Sequence, residues 1–111
     1  MPGSTTTPFE VSQAVQLLGE RIRLARVRRR MSQDELANAC KLTRRTLYRV
    51  ESGAPGIAIG SIYAVLWALG LLSTTKGVAD PDADEHGKTL EAARQARRVR
   101  HPSEKPNEHD F

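Results

Sequence analysis

Two helix starts lie close together near the middle of this chain, and few folds accommodate them. The stretch MSQDEL, residues 31–36, holds Ser32 followed three residues later by Glu35. This is the pattern of a capping box. The serine hydroxyl accepts from the Glu35 amide, and the Glu35 carboxylate accepts from the amide of Ser32. Met31 and Leu36 occupy the two positions of a hydrophobic staple. A helix is therefore expected from about residue 33 to about Ala39. LTRRTL, residues 42–47, repeats the device with Thr43 as N-cap and Leu42 and Leu47 as the staple. The helix it starts is expected over 44–51, closed by ESG with Gly53 in a left-handed conformation. Two short helices joined by a turn of three or four residues give helix-turn-helix geometry.

The flanking segments supply the rest of an all-α domain. Residues 12–30 carry Val15, Leu18, Ile22 and Ala25 at helical spacing, with Ser12 as the expected N-cap. Gly19 weakens that helix locally, by up to about 1 kcal/mol relative to alanine. APGIAIG reads as a loop, and SIYAVLWALG as a fourth helix capped by Ser61. Ile62, Val65, Leu66 and Leu69 form its apolar face, and Gly70 suits its end. Residues 71–79 are expected to add a short fifth helix. ADPDADEHG reads as an acidic linker. KTLEAARQARRVR has helical propensity but little core-forming face, and Pro102 stops it. The expected organisation is a disordered arm over 1–11, a helix-turn-helix domain over 12–79, and an acidic linker with a basic, mostly disordered tail over 80–111.

Charge gives the domain a direction. The whole chain of 111 residues carries +4. Residues 21–53 alone hold ten Lys/Arg against Asp34, Glu35 and Glu51, net +7. A concentrated positive patch is the footprint of a polyanion partner, double-stranded DNA for this motif. The second helix of such a pair enters the major groove. Arg44 and Arg45 open that helix, and Arg49 lies one turn beyond Arg45 on the same side. An arginine fork matches guanine O6 and N7, so these three residues are the expected base contacts. Gln33, Thr43 and Thr46 are expected at backbone phosphates. Arg28, Arg29 and Arg30 can either complement the dipole of the first helix or reach DNA.

Other chemistries find little support. Cys40 is the single cysteine, which suits a reducing cytosol and leaves no metal-binding cysteine pair. No apolar run approaches the ~20 residues needed to span a bilayer, and the N-terminus lacks the features of a secretory signal. His86, His101 and His109 fall in the expected linker and tail, with no scaffold to orient them for catalysis. No enzyme activity, cofactor or metal is expected. Tyr63 and Trp67, at i and i+4 off the main stripe of the fourth helix, are either covered by the fifth helix or part of a dimer seam. The arginines at 94–100 are a second DNA contact, a docking segment for a partner, or a solvated tail.

Residues 18–71 resemble the lambda-repressor/Cro-like (Xre) DNA-binding family. The matching points are Arg26, Ser32-Gln33, Glu35-Leu36-Ala37, Thr43, Leu47, Val50-Glu51, Gly53 and Ala68-Leu69-Gly70. The resemblance implies a five-helix bundle and a homodimer on a palindromic operator. It also implies that Gln33 grips phosphate, that Arg44, Arg45 and Arg49 read bases, and that Arg26 pairs with Glu51. Two positions depart from the family pattern. Lys41 stands where glycine is usual in the turn; a left-handed conformation there costs a non-glycine residue roughly 1 kcal/mol or more, so either the turn is distorted or Lys41 reaches a phosphate in partial compensation. Cys40 stands at a small apolar position, where it serves as a buried hydrophobe. Residues 51–100 look like HipB-type antitoxins, which bind their own promoter and a HipA-like serine/threonine kinase toxin. That resemblance implies a cytoplasmic, nucleoid-associated repressor that also neutralises a kinase. The alternatives are a stand-alone Xre-type regulator, or a module that mainly inhibits a kinase.

Overall fold

A computed structural model of the chain describes residues 8–100, with the Arg100 side chain left out. The described residues form helices joined by turns, with no strand among them, and they divide into two compact units between Thr75 and Lys76. The part of the expected disordered arm at 1–7, and the last ten residues with His109, lie outside the described residues, as does His101.

The first unit opens with α1, Phe9–Arg28. It starts three residues earlier than the expected Ser12 cap. Pro8 takes the capping position with φ −54°, Glu10 complements the dipole in the first turn, and the Ser12 amide already donates to the Pro8 carbonyl. Then follow α2, Gln33–Ala39, and α3, Arg44–Glu51, with the starts their caps predict. The Ser32 hydroxyl accepts from the Glu35 amide at 3.0 Å, and the Ser32 amide donates to Glu35 Oε1 at 2.7 Å. These bonds hold the Glu35 carboxyl below its ordinary range, the backbone amide of Ser32 most of all. Thr43 Oγ1 accepts from the Thr46 amide at 3.0 Å.

The fourth helix, α4, spans Ile59–Ala68 and begins two residues before the expected Ser61. Ala58 occupies the cap with no side-chain bond, and the Ser61 amide reaches the Ala58 carbonyl at 3.0 Å. Ser61 thus lies inside the first turn. The expected fifth helix over 71–79 is a 3-10 helix, Leu72–Gly77. Thr74 and Thr75 explain the tighter winding: each hydroxyl donates to a carbonyl three residues back, at 2.6 and 2.7 Å.

These elements close on one core. Ile22 and Ala25 of α1, Leu36, Ala37 and Cys40, Leu47 and Val50 of α3, and Val65, Leu66 and Leu69 are all buried. α2 packs on α3 and α4, and α1 packs on α3. Burial pushes the Cys40 thiol up, and Sγ donates to the Leu36 carbonyl at 3.1 Å. Gly19 has a tertiary reason. A Cβ there would lie 2.6 Å from the Val50 carbonyl oxygen and 2.7 Å from that of Glu51. The glycine lets α1 cross the end of α3 at close range, which outweighs its poor helix propensity.

All four helices end in the same way. In each, the amide of the residue two past the helix's last residue reaches the carbonyl of the second-last, and the next amide reaches the carbonyl before it. The left-handed residue in this closure is Arg30, Lys41, Gly53 and Gly70 in turn, with φ of 55°, 59°, 80° and 77°. Gly53 is doubly constrained, since a Cβ would also meet Gln16 Cγ at 2.7 Å. Arg30 and Lys41 hold a conformation that costs a residue with a Cβ roughly 1–2 kcal/mol.

The second unit corrects the expected linker and mostly disordered tail. Pro81–Ala83 form a 3-10 turn, and α5 runs Glu85–Arg100. The acidic residues build structure here. Asp80 Oδ1 accepts from the Asp82 amide at 2.9 Å, and Asp84 Oδ1 accepts from the Gly87 amide at 2.9 Å. Asp84 therefore caps α5, and Glu85 in the first turn complements its dipole. The described residues hold more helical segments than the five expected.

Candidate nucleic-acid interface

α3 has two unlike sides. Leu47, Val50 and Glu51 are buried, while Arg44, Arg45, Tyr48 and Arg49 are exposed. The helix is fixed from behind by charge as well as by packing. Arg26 Nε donates to Glu51 Oε2 at 2.7 Å, and Nη2 donates to Oε1 at 3.0 Å. Arg26 Nη1 donates to the Met31 carbonyl at 2.9 Å. The bond to Glu51 raises the Arg26 pKa further above an already basic value. One bidentate pair thus joins α1, the start of α2 and the end of α3. Glu51 is the single buried charged residue among those described. Its full set of partners offsets the desolvation that burial imposes.

Gln33 belongs to the same network. Its Nε2 donates to Glu51 Oε1 at 3.2 Å. No local pattern foretells this bond, because it joins residues 18 positions apart. One amide hydrogen and the carbonyl oxygen of Gln33 remain for a ligand, and Glu51 sets the direction of the amide.

The remaining expected phosphate residues sit at the turn. Lys41 is exposed and left-handed. Thr43 is exposed, and its hydroxyl both caps α3 and donates to Thr46 Oγ1 at 2.9 Å. Thr46 is half-buried. Arg44 leans toward Asp34 of α2, with Nη1 3.8 Å from Oδ2 and both side chains about two-thirds exposed. Such a pair contributes roughly 0–1 kcal/mol and yields readily to a stronger anion. Arg29 Nη1 donates to the Ala25 carbonyl at 2.8 Å, so it caps α1.

One exposed residue of this face carries no charge. Tyr48 is 59% exposed, one turn from both Arg44 and Arg45. Tyr48 was not among the expected site residues; its spacing of four positions from Arg44 and three from Arg45 is the signal that sets it on their side of the helix. Tyr63 and Trp67 lie on α4 and not with the α3 arginines. Tyr63 is half-buried, and Trp67 is 62% exposed, so the 3-10 segment does not cover it. Ile59, at i−4 from Tyr63, is 67% exposed and extends the same stripe.

A family model described as a helix-turn-helix domain matches residues 17–72. The chain belongs to that family, and the match spans the whole of α2, α3 and α4 with most of α1. Membership points to a DNA-binding regulator. A comparison with curated proteins found no match. Among the described residues, no helix is long and apolar enough to cross a membrane.

Proposed function

We propose that this chain is a sequence-specific DNA-binding repressor that acts as a homodimer on a palindromic operator. The observation that carries the reading is the build of α3. Three arginines stand on its open side, and a bidentate pair between half-buried Arg26 and buried Glu51 holds its other side to α1. Arg44, Arg45 and Arg49 read guanines in each half-site, with Tyr48 offering a ring to a thymine methyl. Gln33, Lys41, Thr43 and Thr46 take backbone phosphates and fix the register. The stripe of Ile59, half-buried Tyr63 and Trp67 supports the dimer, since an open apolar stripe with an exposed aromatic favours association.

The finer reading is that of an antitoxin. The protein represses its own operon and holds a HipA-like serine/threonine kinase in an inactive complex. The likeness of residues 51–100 to HipB-type antitoxins supports this half. The two halves are tested separately. Fluorescence anisotropy with the DNA upstream of the protein's own gene, against a scrambled duplex at several salt concentrations, tests repression. A preference of ~10³-fold or more with a steep negative salt slope is the expected result. Equal, weak binding to both duplexes contradicts it. For the kinase half, the adjacent reading frame should encode a HipA-like kinase that co-elutes with this chain. Absence of such a frame leaves a stand-alone regulator.

A further inference from the structure

The turn before α2 and the turn before α3 are copies of one another. Each reads cation, apolar residue, hydroxyl cap: Arg30-Met31-Ser32 and Lys41-Leu42-Thr43. In each, the cation is left-handed, the apolar residue is half-buried against the core, and the hydroxyl accepts from the amide three residues on. The same helix closure recurs after α3 and α4 with glycine in the left-handed position. Glycine takes that conformation freely, and two of the four closures use it. The two that bracket α2 carry long cations instead.

Neither cation is explained by its own fold. Both side chains are exposed, and neither makes a hydrogen bond or ion pair among the described residues. Arg28 already lies in the last turn of α1, and Arg29 bonds its carbonyl, so Arg30 is not needed for the dipole. The Lys41 ammonium bonds none of the α2 carbonyls, which its backbone amide already reaches at Asn38. Ala79 is a third left-handed residue with a Cβ, but it is uncharged and stands outside these turns. Among the described residues, charge, place and conformation coincide only at Arg30 and Lys41, and strained residues that persist against an easy alternative tend to serve a ligand.

We propose that Arg30 and Lys41 are a matched pair of DNA-phosphate clamps, retained against the stability that glycine would give at both turns. Each projects a cation from a rigid turn on either side of α2, so the pair grips the backbone while α3 reads the groove. This rests on the DNA-binding reading above and deepens it. Both contacts are to phosphate, so they raise affinity for every sequence alike.

The test uses the full chain with Arg30→Gly, Lys41→Gly and the double variant. Arg30→Asn and Lys41→Asn serve as neutral residues that tolerate the left-handed region. Thermal melts and anisotropy titrations across salt are read together. Each glycine variant should melt higher, by about 4 °C or more. Each should also lower the salt slope by about 0.9, and the pair by nearly twice that. The asparagine variants should lose the same slope, and the ratio of specific to non-specific binding should stay unchanged in all of them. Glycine variants that melt higher but keep the wild-type slope overturn the proposal alone. Variants that melt lower overturn the claim that stability is forgone. Absence of DNA binding by the wild-type chain would overturn the DNA-binding reading and this proposal with it.

Discussion

Both α3 and α5 are helices rich in arginine, and they are built on opposite plans. α3 buries Leu47 and Val50 and anchors its last residue, Glu51, to Arg26 of α1. α5 has no buried residue among those described, and it begins at the Asp84 cap with Glu85 in its first turn. Positive charge alone therefore does not define a reading head. Base recognition needs donors held in one place, because a guanidinium that wanders loses the geometry of the bidentate fork. The α3 arginines stand on a helix whose position is fixed by the core. The α5 arginines stand on a helix with one exposed leucine and one exposed valine, Leu90 and Val99.

The largest effect should come from the anchor itself. Glu51→Gln leaves Arg26 in a poorly solvated site with its countercharge removed, and should destabilise the first unit by about 3–5 kcal/mol. Chemical denaturation monitored by circular dichroism measures it, and a change under 1 kcal/mol would show that packing alone holds α3. Paired truncations sharpen the contrast of the two helices. Leu47→Ala, at a fully buried site, should cost about 2–5 kcal/mol. Leu90→Ala, at a site 58% exposed, should stay within about 0.5 kcal/mol. Similar losses at both sites would mean that α5 is packed in solution.

A smaller effect is expected at the start of α3. Thr43→Ala removes the cap and should cost about 1 kcal/mol, seen as a lower denaturation midpoint with an unchanged slope. Smallest is the pH response of the α2 cap. The Glu35 carboxyl is held below its ordinary range by Ser32. Its contribution is therefore complete above the unfolded carboxylate pKa and fades as pH falls through the lower folded value. Comparing wild type with Glu35→Gln from neutral to acid pH should show the difference in stability shrinking on acidification. A difference that grows instead would reverse the assignment.

What the sequence revealed about this molecule was chiefly local. The starts of α2 and α3 were legible because caps and staples are set by residues within five positions of each other. That the turn at Lys41 departs from the glycine pattern was legible, but only the structure separates a left-handed lysine from a distorted turn. The features that escaped are of two kinds. Some need contact between distant segments: Gly19 against the end of α3, and Gln33 against Glu51. Others hid in composition. Asp80 and Asp84 looked like part of an acidic linker, yet each accepts from a nearby amide and starts a helical turn. α1 starts before the expected Ser12 cap because Pro8 begins a helix without any side-chain bond, a start that leaves no capping pattern in the sequence.

The central claim is that the open side of α3 reads bases from a fixed platform. Arg44→Ala combined with Arg45→Ala tests it most directly, with affinity for the upstream operator and for a scrambled duplex measured on the same folded protein. Each good arginine–guanine pair is worth roughly 1–3 kcal/mol, so the double variant should lose at least about 30-fold in operator preference. Its melting temperature should stay close to wild type, since both side chains lie on the exposed side. A folded double variant that keeps the wild-type preference would show that sequence is read elsewhere, and α3 would then be only a basic surface.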